Sequence, residues 1–197
     1  MRKEKLEELK SYIEEFKTLR MEELKKEPKF IKIVPHICYI NNGRVINREK
    51  IVKNNKDGSA VIIMPITDND EVLVVIEPRV FTKNTVGVGF PAGYIEDGET
   101  ALHAGYRELL EETGYEAHRI QEIDSFYQDE GCSSAYNHSL IAWGVKKTCE
   151  QNLDESEMTR YMLFKYEELF ELEEMGYING SNTKLTLLNS KKYMEGR

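Results

Sequence analysis

The stretch "GYIEDGETALHAGYRELLEETGY", residues 93–115, combines a helical pattern with a concentration of acidic side chains. Glu108, Glu111 and Glu112 stand at i, i+3 and i+4, which places their carboxylates on one side of a helix. The stretch has no lysine, and Arg107 is its only arginine. Like charges at this spacing destabilise an isolated helix by about 0.2–0.5 kcal/mol per pair. A cation that offsets this repulsion is therefore expected.

The helix itself is predicted over residues 100–113, between Gly98 and Gly114. Four side chains that fall together at 100° per residue are predicted to face the core, namely Leu102, Tyr106, Leu109 and Leu110. Ala101, Ala104 and Gly105 lie on the side of the glutamates. Side chains this small are expected to leave room above the helix for a bulky anion.

The expected cation is a hard divalent ion such as Mg²⁺, which prefers oxygen ligands and keeps water molecules that a phosphate can replace. The net charge of −8 is consistent with a site that recruits cations. The same charge argues against nucleic acid as the main partner, because a nucleic-acid backbone attracts basic surfaces. A phosphate-bearing small molecule is therefore the favoured substrate class.

The spacing of the fixed residues resembles the signature of the Nudix hydrolases at every position. Gly93 is followed after five residues by Glu99, and after seven more by the run from Arg107 to Tyr115. The resemblance implies an α+β protein with the Nudix fold, a mixed β-sheet sandwiched between helices. It also implies hydrolysis of a diphosphate with the help of Mg²⁺ or Mn²⁺.

The resemblance also implies roles for individual residues. Glu108 and Glu112 are the expected principal metal ligands, and the backbone carbonyl of Ala92 is a further one. Glu111 is expected to bind metal or to orient water, and with Glu112 it is assigned to the catalytic step.

A brace and a late acidic loop complete the expected site. Glu99 and Arg107 would form an ion pair that holds the loop against the helix, because an arginine can bind one carboxylate as a fork. The resemblance also implies a glutamate from a late loop as base or metal ligand. Glu155 and Glu157, in "LDESEMTRY", are the two candidates.

A wider similarity, over about residues 31–190, is to the ADP-ribose pyrophosphatase branch of the family. It implies hydrolysis of ADP-ribose or a similar nucleoside-diphosphate sugar, with Arg79 contacting phosphate. Three aromatic residues are candidates for stacking on adenine: Phe30, Tyr39 and Phe81. Gly89 and Glu130 depart from the pattern of that branch, so the terminal sugar is expected to be held differently.

The chain divides into three predicted regions. Residues 1–28 form an accessory helix, with an amphipathic pattern over residues 2–27, that packs on the main domain or on a partner subunit. Residues 29–56 form strands that, by resemblance to the branch, make a homodimer. Residues 57–197 are the Nudix hydrolase domain, in which residues 81–90 are read as a loop.

Two alternatives to an ADP-ribose pyrophosphatase remain open. The first is a Nudix pyrophosphatase for another nucleoside-diphosphate derivative, a dinucleotide or a nucleoside triphosphate. The second is a Nudix domain that binds its ligand without turnover. No apolar run is long enough to cross a membrane, and the N-terminus has no signal-peptide core. The three cysteines have no metal-like spacing, which favours a reducing cytoplasm.

Overall fold

A computed structural model describes residues 1–27, 30–54, 56–153 and 157–195. Its elements follow in chain order: α1 (Lys3–Phe16), β1 (Ile31–Tyr39), β2 (Val45–Lys53), β3 (Ala60–Thr67), β4 (Glu71–Pro78), β5 (Val86–Gly89), β6 (Ala92–Tyr94), α2 (Ala101–Thr113), β7 (Tyr115–Glu116), β8 (Arg119–Tyr127), β9 (Tyr136–Lys147), β10 (Arg160–Lys165), α3 (Tyr166–Glu174) and α4 (Ser181–Met194).

The central sheet has the strand order β10-β4-β3-β9-β7, with β5 paired to β4, β6 to β3 and β8 to β9. β3 and β9 run parallel, whereas β4 is antiparallel to β10, β3 and β5. β3 reads as a continuous apolar run, and residues 61–66 are buried. A strand covered on both faces needs such a run, so β3 forms the centre of the sheet.

Side-chain alternation along β3 divides the core into two layers. Ile62 and Met64 point to the face that packs against α1, α3 and α4. Val61 and Ile63 point to the opposite face, which is covered by α2. The mixed sheet is thus enclosed between helices, and the predicted α+β architecture is confirmed.

α2 begins at Thr100, whose hydroxyl accepts a hydrogen bond from the His103 amide, and ends at Gly114 in the left-handed conformation. The predicted orientation of this helix was partly wrong. Leu109 is buried, but Leu102 and Tyr106 are each 40% exposed. Ala104 and Gly105 take the buried positions instead.

Gly105 faces the sheet, so the prediction that it leaves room for an anion was also wrong. A Cβ atom at Gly105 would lie 2.5 Å from Cδ1 of Leu140 on β9. The small residues of α2 therefore serve the close approach of the helix to the sheet. The acidic side chains project at the edge of this contact.

The N-terminal helix is shorter than predicted, because it ends at Phe16 rather than near residue 27. Leu9 and Phe16 are buried on the main domain. Beyond Phe16, Leu19 continues the apolar stripe at i+3 but is 94% exposed, and the next positions of the stripe are the charged Arg20 and Glu23. The Thr18 amide instead donates a hydrogen bond to the Thr85 hydroxyl.

The segment 81–90, predicted as a loop, contains the short strand β5. Val86 and Val88 are buried, and the strand pairs antiparallel with β4 from Val75↔Gly89 to Pro78↔Val86. Glycine-rich composition suggested a loop, but the valines supply the alternation of a half-buried strand.

β1 and β2 form a separate two-stranded sheet, as predicted, in register from Ile31↔Lys53 to Tyr39↔Val45. The Ile51 amide donates to the Cys132 carbonyl at 2.7 Å, which ties this hairpin to the segment between β8 and β9. Several apolar side chains of the hairpin are exposed in the single chain, including Ile33, Ile37 and Val45. None of the helices in the described ranges is long and apolar enough to span a membrane.

Candidate active site

A cavity of about 980 Å³ opens where α2 meets the ends of β4 and β6. Its walls include Glu108, Glu111 and Glu112 from α2, together with Arg79 after β4 and Glu157 before β10. Arg79, helix α2 and Glu157 lie far apart in the sequence, and the sheet order brings them to one edge. Such a concave site with convergent charged groups is the default location for catalysis.

Arg107 is the centre of the hydrogen-bond network in this cavity. Its Nε donates to Glu99 Oε1 at 3.0 Å and its Nη2 to Glu99 Oε2 at 2.8 Å, which makes a two-pronged contact. Its Nη1 donates to Glu108 Oε1 at 2.8 Å and to Glu111 Oε2 at 3.1 Å. Hydrogen bonding from Arg107 lowers the pKa of Glu99. The guanidinium therefore holds the loop before α2 against the helix.

Gly93 leaves the space that the Glu108 carboxylate occupies. A Cβ atom at residue 93 would lie 2.0 Å from both Cδ and Oε1 of Glu108. No side chain fits there without moving the glutamate. The fixed spacing between this glycine and α2 is thus a packing requirement of the acidic site.

Glu112 is the most enclosed acid of the helix. Its Oε2 accepts a hydrogen bond from the Ala92 amide at 3.3 Å. Burial raises the pKa of Glu112 well above its usual value, and the charges of Glu77 and Glu108 raise it further. Burial also raises the pKa of Glu108. A positive charge in the cavity would therefore stabilise the ionised form of both carboxylates.

Glu77 is a functional candidate that the sequence analysis missed. It lies near the end of β4, pairs with Arg79, and has a side chain only 22% exposed. Burial raises the pKa of Glu77, and the charge of Glu157 adds to the effect. Because Glu77 and Arg79 are two residues apart on an extended segment, they share a face. The alternation of side chains along β4, which places Glu77 on the same face as Arg79, was the feature of the sequence that could have identified Glu77.

The donor set has the chemistry of a divalent-metal site, since clustered carboxylates are the ligands that hard cations prefer. Within the described part of the chain, however, no group of three or more His, Cys, Asp or Glu side chains is already arranged to hold a metal ion. The reason is visible in the contacts: Arg107 binds Glu108 and Glu111. Each of these two carboxylates uses one oxygen for the guanidinium and keeps its other oxygen for a cation.

The remaining predicted residues are divided between the cavity and the surface. Phe30 lines the cavity, and its ring centre lies 6.0 Å from that of Tyr94, which the sequence analysis did not select. Tyr39, at the far end of β1, is 79% exposed, and Phe81 is 89% exposed. The single chain brings neither of these two to the cavity, and Glu155 lies outside the described residues.

Residues 56–184 match the sequence profile of the NUDIX domain. The chain belongs to the Nudix family. The predicted family and fold are therefore confirmed, and the chain is a Nudix hydrolase. Nudix hydrolases generally use divalent metals, which agrees with the acidic donor set around Glu112.

Two curated relatives are similar over most of this Nudix chain. An ADP-ribose pyrophosphatase of Bacillus subtilis (strain 168) is 31% identical over 143 residues, which cover 72% of this chain and 75% of the relative. A methanol dehydrogenase activator of Bacillus methanolicus is 30% identical over 144 residues, 73% of this chain and 75% of the relative.

A solved structure described as an ADP compounds hydrolase superposes with a TM-score of 0.74. The superposition covers 92% of this chain and 95% of the other, at 22% sequence identity. At this identity the similarity supports the Nudix fold, and it extends the fold comparison beyond the profile match to nearly the whole chain.

Proposed function

We propose that this Nudix hydrolase cleaves the diphosphate linkage of ADP-ribose or a closely similar nucleoside-diphosphate sugar, with Mg²⁺ as the metal. One observation carries the proposal: the same cavity is lined by the glutamates around Glu112, by the cation Arg79 and by the aromatic ring of Phe30. The ADP-ribose pyrophosphatase of Bacillus subtilis, at 31% identity, supports the same substrate class.

The assigned residues have distinct tasks in this reaction. Glu108 and Glu112 would hold metal, together with the Ala92 carbonyl, and the Glu99–Arg107 pair keeps the loop in place. Bound metal supplies charge neutralisation and lowers the pKa of water. Glu111 or Glu157 would accept the proton of the attacking water, a step worth about 10²–10⁴ in rate.

The bond changes are those of simple hydrolysis. Water oxygen bonds to one phosphorus, the bridging P–O bond breaks, and the bridging oxygen leaves on the other phosphate. With ADP-ribose the products are AMP and ribose 5-phosphate. Arg79, which pairs with Glu77, would exchange that carboxylate for a substrate phosphate.

The nucleobase is expected at the Phe30 end of the cavity. Phe30 and Tyr94 are 46% and 42% exposed, so ring surface remains available. Stacking on aromatic rings suits adenine, and it needs no base-specific hydrogen bonds.

The terminal sugar is expected to be held differently from the pattern of the ADP-ribose pyrophosphatase branch. A Cβ atom at Gly89 would lie 2.6 Å from the Thr183 hydroxyl oxygen, which occupies the space that a larger residue would need. The Phe90 amide donates to that same oxygen at 3.3 Å. Contacts with the sugar must therefore come from other residues.

A homodimer in a reducing cytoplasm completes the proposal. Exposed apolar side chains on both strands of the β1–β2 hairpin support self-association. A second copy of the chain would remove this apolar surface from water, which is favourable. The three cysteines are free, which suits a reducing compartment.

The decisive experiment is product analysis in ¹⁸O-labelled water with Mg²⁺. ADP-ribose should yield AMP and ribose 5-phosphate, with one labelled phosphate per turnover. Other nucleotide sugars, dinucleotides and nucleoside triphosphates should be run beside it. Much faster turnover of triphosphates would contradict the proposed substrate class, and tight binding of ADP-ribose without products would indicate a ligand-binding module.

A further inference from the structure

The segment after β9 runs across the C-terminal end of α2 and binds its free carbonyl groups. The amides of Thr148 and Cys149 donate to the Gly114 carbonyl at 2.9 and 3.2 Å. The Asn152 amide donates to the Glu111 carbonyl at 2.9 Å. The last carbonyls of a helix have no partner within it, so these contacts fix the helix end to this segment.

Gln151 makes the corresponding contact through its side chain. Its Nε2 group donates to the Glu112 carbonyl and also, at 3.3 Å, to the Thr159 carbonyl. A primary amide has two N–H bonds, so one side chain serves both acceptors. The contact joins the last turn of α2 to the residue immediately before β10.

The two ends of the segment between Gln151 and Thr159 are thereby held beside the helix that carries the acidic site. Glu157 belongs to this segment and lines the cavity. Glu77, Glu108 and Glu112 line the same cavity, so Glu157 shares one concave site with them.

We infer that Gln151 is a positioning residue for catalysis: it fixes Glu157 relative to the glutamates of α2. This inference rests on the proposed function for the step that Glu157 assists. This role of Gln151 differs from a general contribution to stability, because it acts through the Glu157 carboxylate. Misplacing a reacting group by about 1 Å lowers the rate by about 10²-fold. Loss of the Gln151 amide contacts can therefore have a measurable effect on the rate.

The test is a double-mutant cycle with Gln151→Leu, Glu157→Gln and the double variant. Gln151→Leu should lower kcat by about 10-fold or more, with KM unchanged within about 2-fold. In the Glu157→Gln background the same change should lower kcat by less than about 2-fold. Equal effects in both backgrounds, or wild-type kcat in either single variant, would overturn the inference.

A second measurement does not depend on the substrate. Hydrogen exchange by NMR in wild type and Gln151→Leu should show the amide of Asn152, which is bonded to the Glu111 carbonyl, exchanging at least about 10-fold faster in the variant, with amides of β3 unchanged. Unchanged exchange at Asn152 would count against the inference even if ADP-ribose proves to be the wrong substrate. A wild-type protein that releases no AMP contradicts the proposed function alone.

Two further variants keep the experiment interpretable. Gln151→Asn keeps a neutral amide but shortens the side chain by one methylene, so it cannot reach both carbonyls and should reproduce the loss if Gln151→Leu fails to fold. Gln121→Leu, on β8 and away from the cavity, is the matched control. It should leave kcat and the exchange of the Asn152 amide at wild-type values.

Discussion

Glu112 combines burial with two neighbouring acids, so its charge is unfavourable until a cation arrives. Replacing it with glutamine removes the charge and keeps an oxygen that can accept from the Ala92 amide. We expect Glu112→Gln to lower kcat by at least about 100-fold at saturating Mg²⁺, with an unchanged or higher Tm.

The comparison for this variant is Glu116→Gln, an exposed glutamate on β7 outside the cavity. It should retain wild-type kcat within about 2-fold. Release of AMP and thermal unfolding are measured for both proteins. Near-wild-type turnover in Glu112→Gln would remove this residue from the metal site.

At this scale the sequence pattern predicted the residues of the fixed-spacing signature, family resemblance added Arg79, Phe30 and Glu157, and Glu77 was missed. Glu108, Glu111 and Glu112 are neighbours along one helix, so helical geometry alone placed them together. Glu77 joins them only because β4 ends beside α2. Pairing between distant segments is set by the sheet order, which local pattern does not contain.

Among the elements, α2 gives the sharpest test of packing. Alanine is favoured over glycine in a helix by about 1 kcal/mol. At Gly105, however, the added methyl group would lie 2.5 Å from Leu140. Overpacking of this kind costs about 1–3 kcal/mol, so we expect Gly105→Ala to reduce the free energy of unfolding.

Urea denaturation checks this expectation, with His103→Ala on the exposed side of the same helix as the control. The control should change the free energy of unfolding by less than about 0.5 kcal/mol. A stabilised Gly105→Ala variant would show that the helix and β9 separate readily.

Elements with a strong pattern were predicted well, and the errors occurred where the burying partner was unknown. The helix predicted over residues 100–113 is α2, which spans Ala101–Thr113 and ends at the predicted Gly114. The outward face of α2 was misjudged because Leu102 and Leu109 look equivalent by periodicity. The position of the sheet against α2 determines that Leu109 is buried and Leu102 is 40% exposed.

For the whole molecule, the acidic cavity predicts an unusual dependence of stability on pH. Glu77, Glu108 and Glu112 have pKa values raised in the folded protein above 4.5. The folded state then binds more protons than the unfolded state, so stability falls as pH rises above 4.5. Glu99 has a lowered pKa, and its stabilising contribution is lost only below 4.5.

We therefore expect the Tm in EDTA to decrease between pH 5 and about pH 7. Mg²⁺ should reverse most of this decrease, and more strongly at pH 7, because metal binds deprotonated carboxylates. Differential scanning calorimetry with and without Mg²⁺ makes the measurement. A Tm in EDTA that rises between pH 5 and about pH 7 would contradict the raised pKa values of the cavity glutamates. The Glu112→Gln variant should show a smaller change of Tm with pH.

Assembly is the remaining expectation for the whole molecule. Light scattering at micromolar concentration should give twice the mass of the 22.9 kDa chain. Ile33→Lys with Ile37→Lys places charges on the exposed hairpin and should give the monomer mass. Lysine at Glu22, exposed beyond α1, is the control and should leave the dimer intact. A monomeric wild type would refute the homodimer.

The contact between Gly89 and Thr183 sets a cost on any change of sugar preference at residue 89. A side chain there would lie 2.6 Å from the Thr183 hydroxyl oxygen, so that oxygen must move. Rotation of the Thr183 side chain or its replacement by a smaller one makes the space, and either change removes the acceptor of the Phe90 amide. Any gain in sugar binding from residue 89 must therefore outweigh the loss of this hydrogen bond.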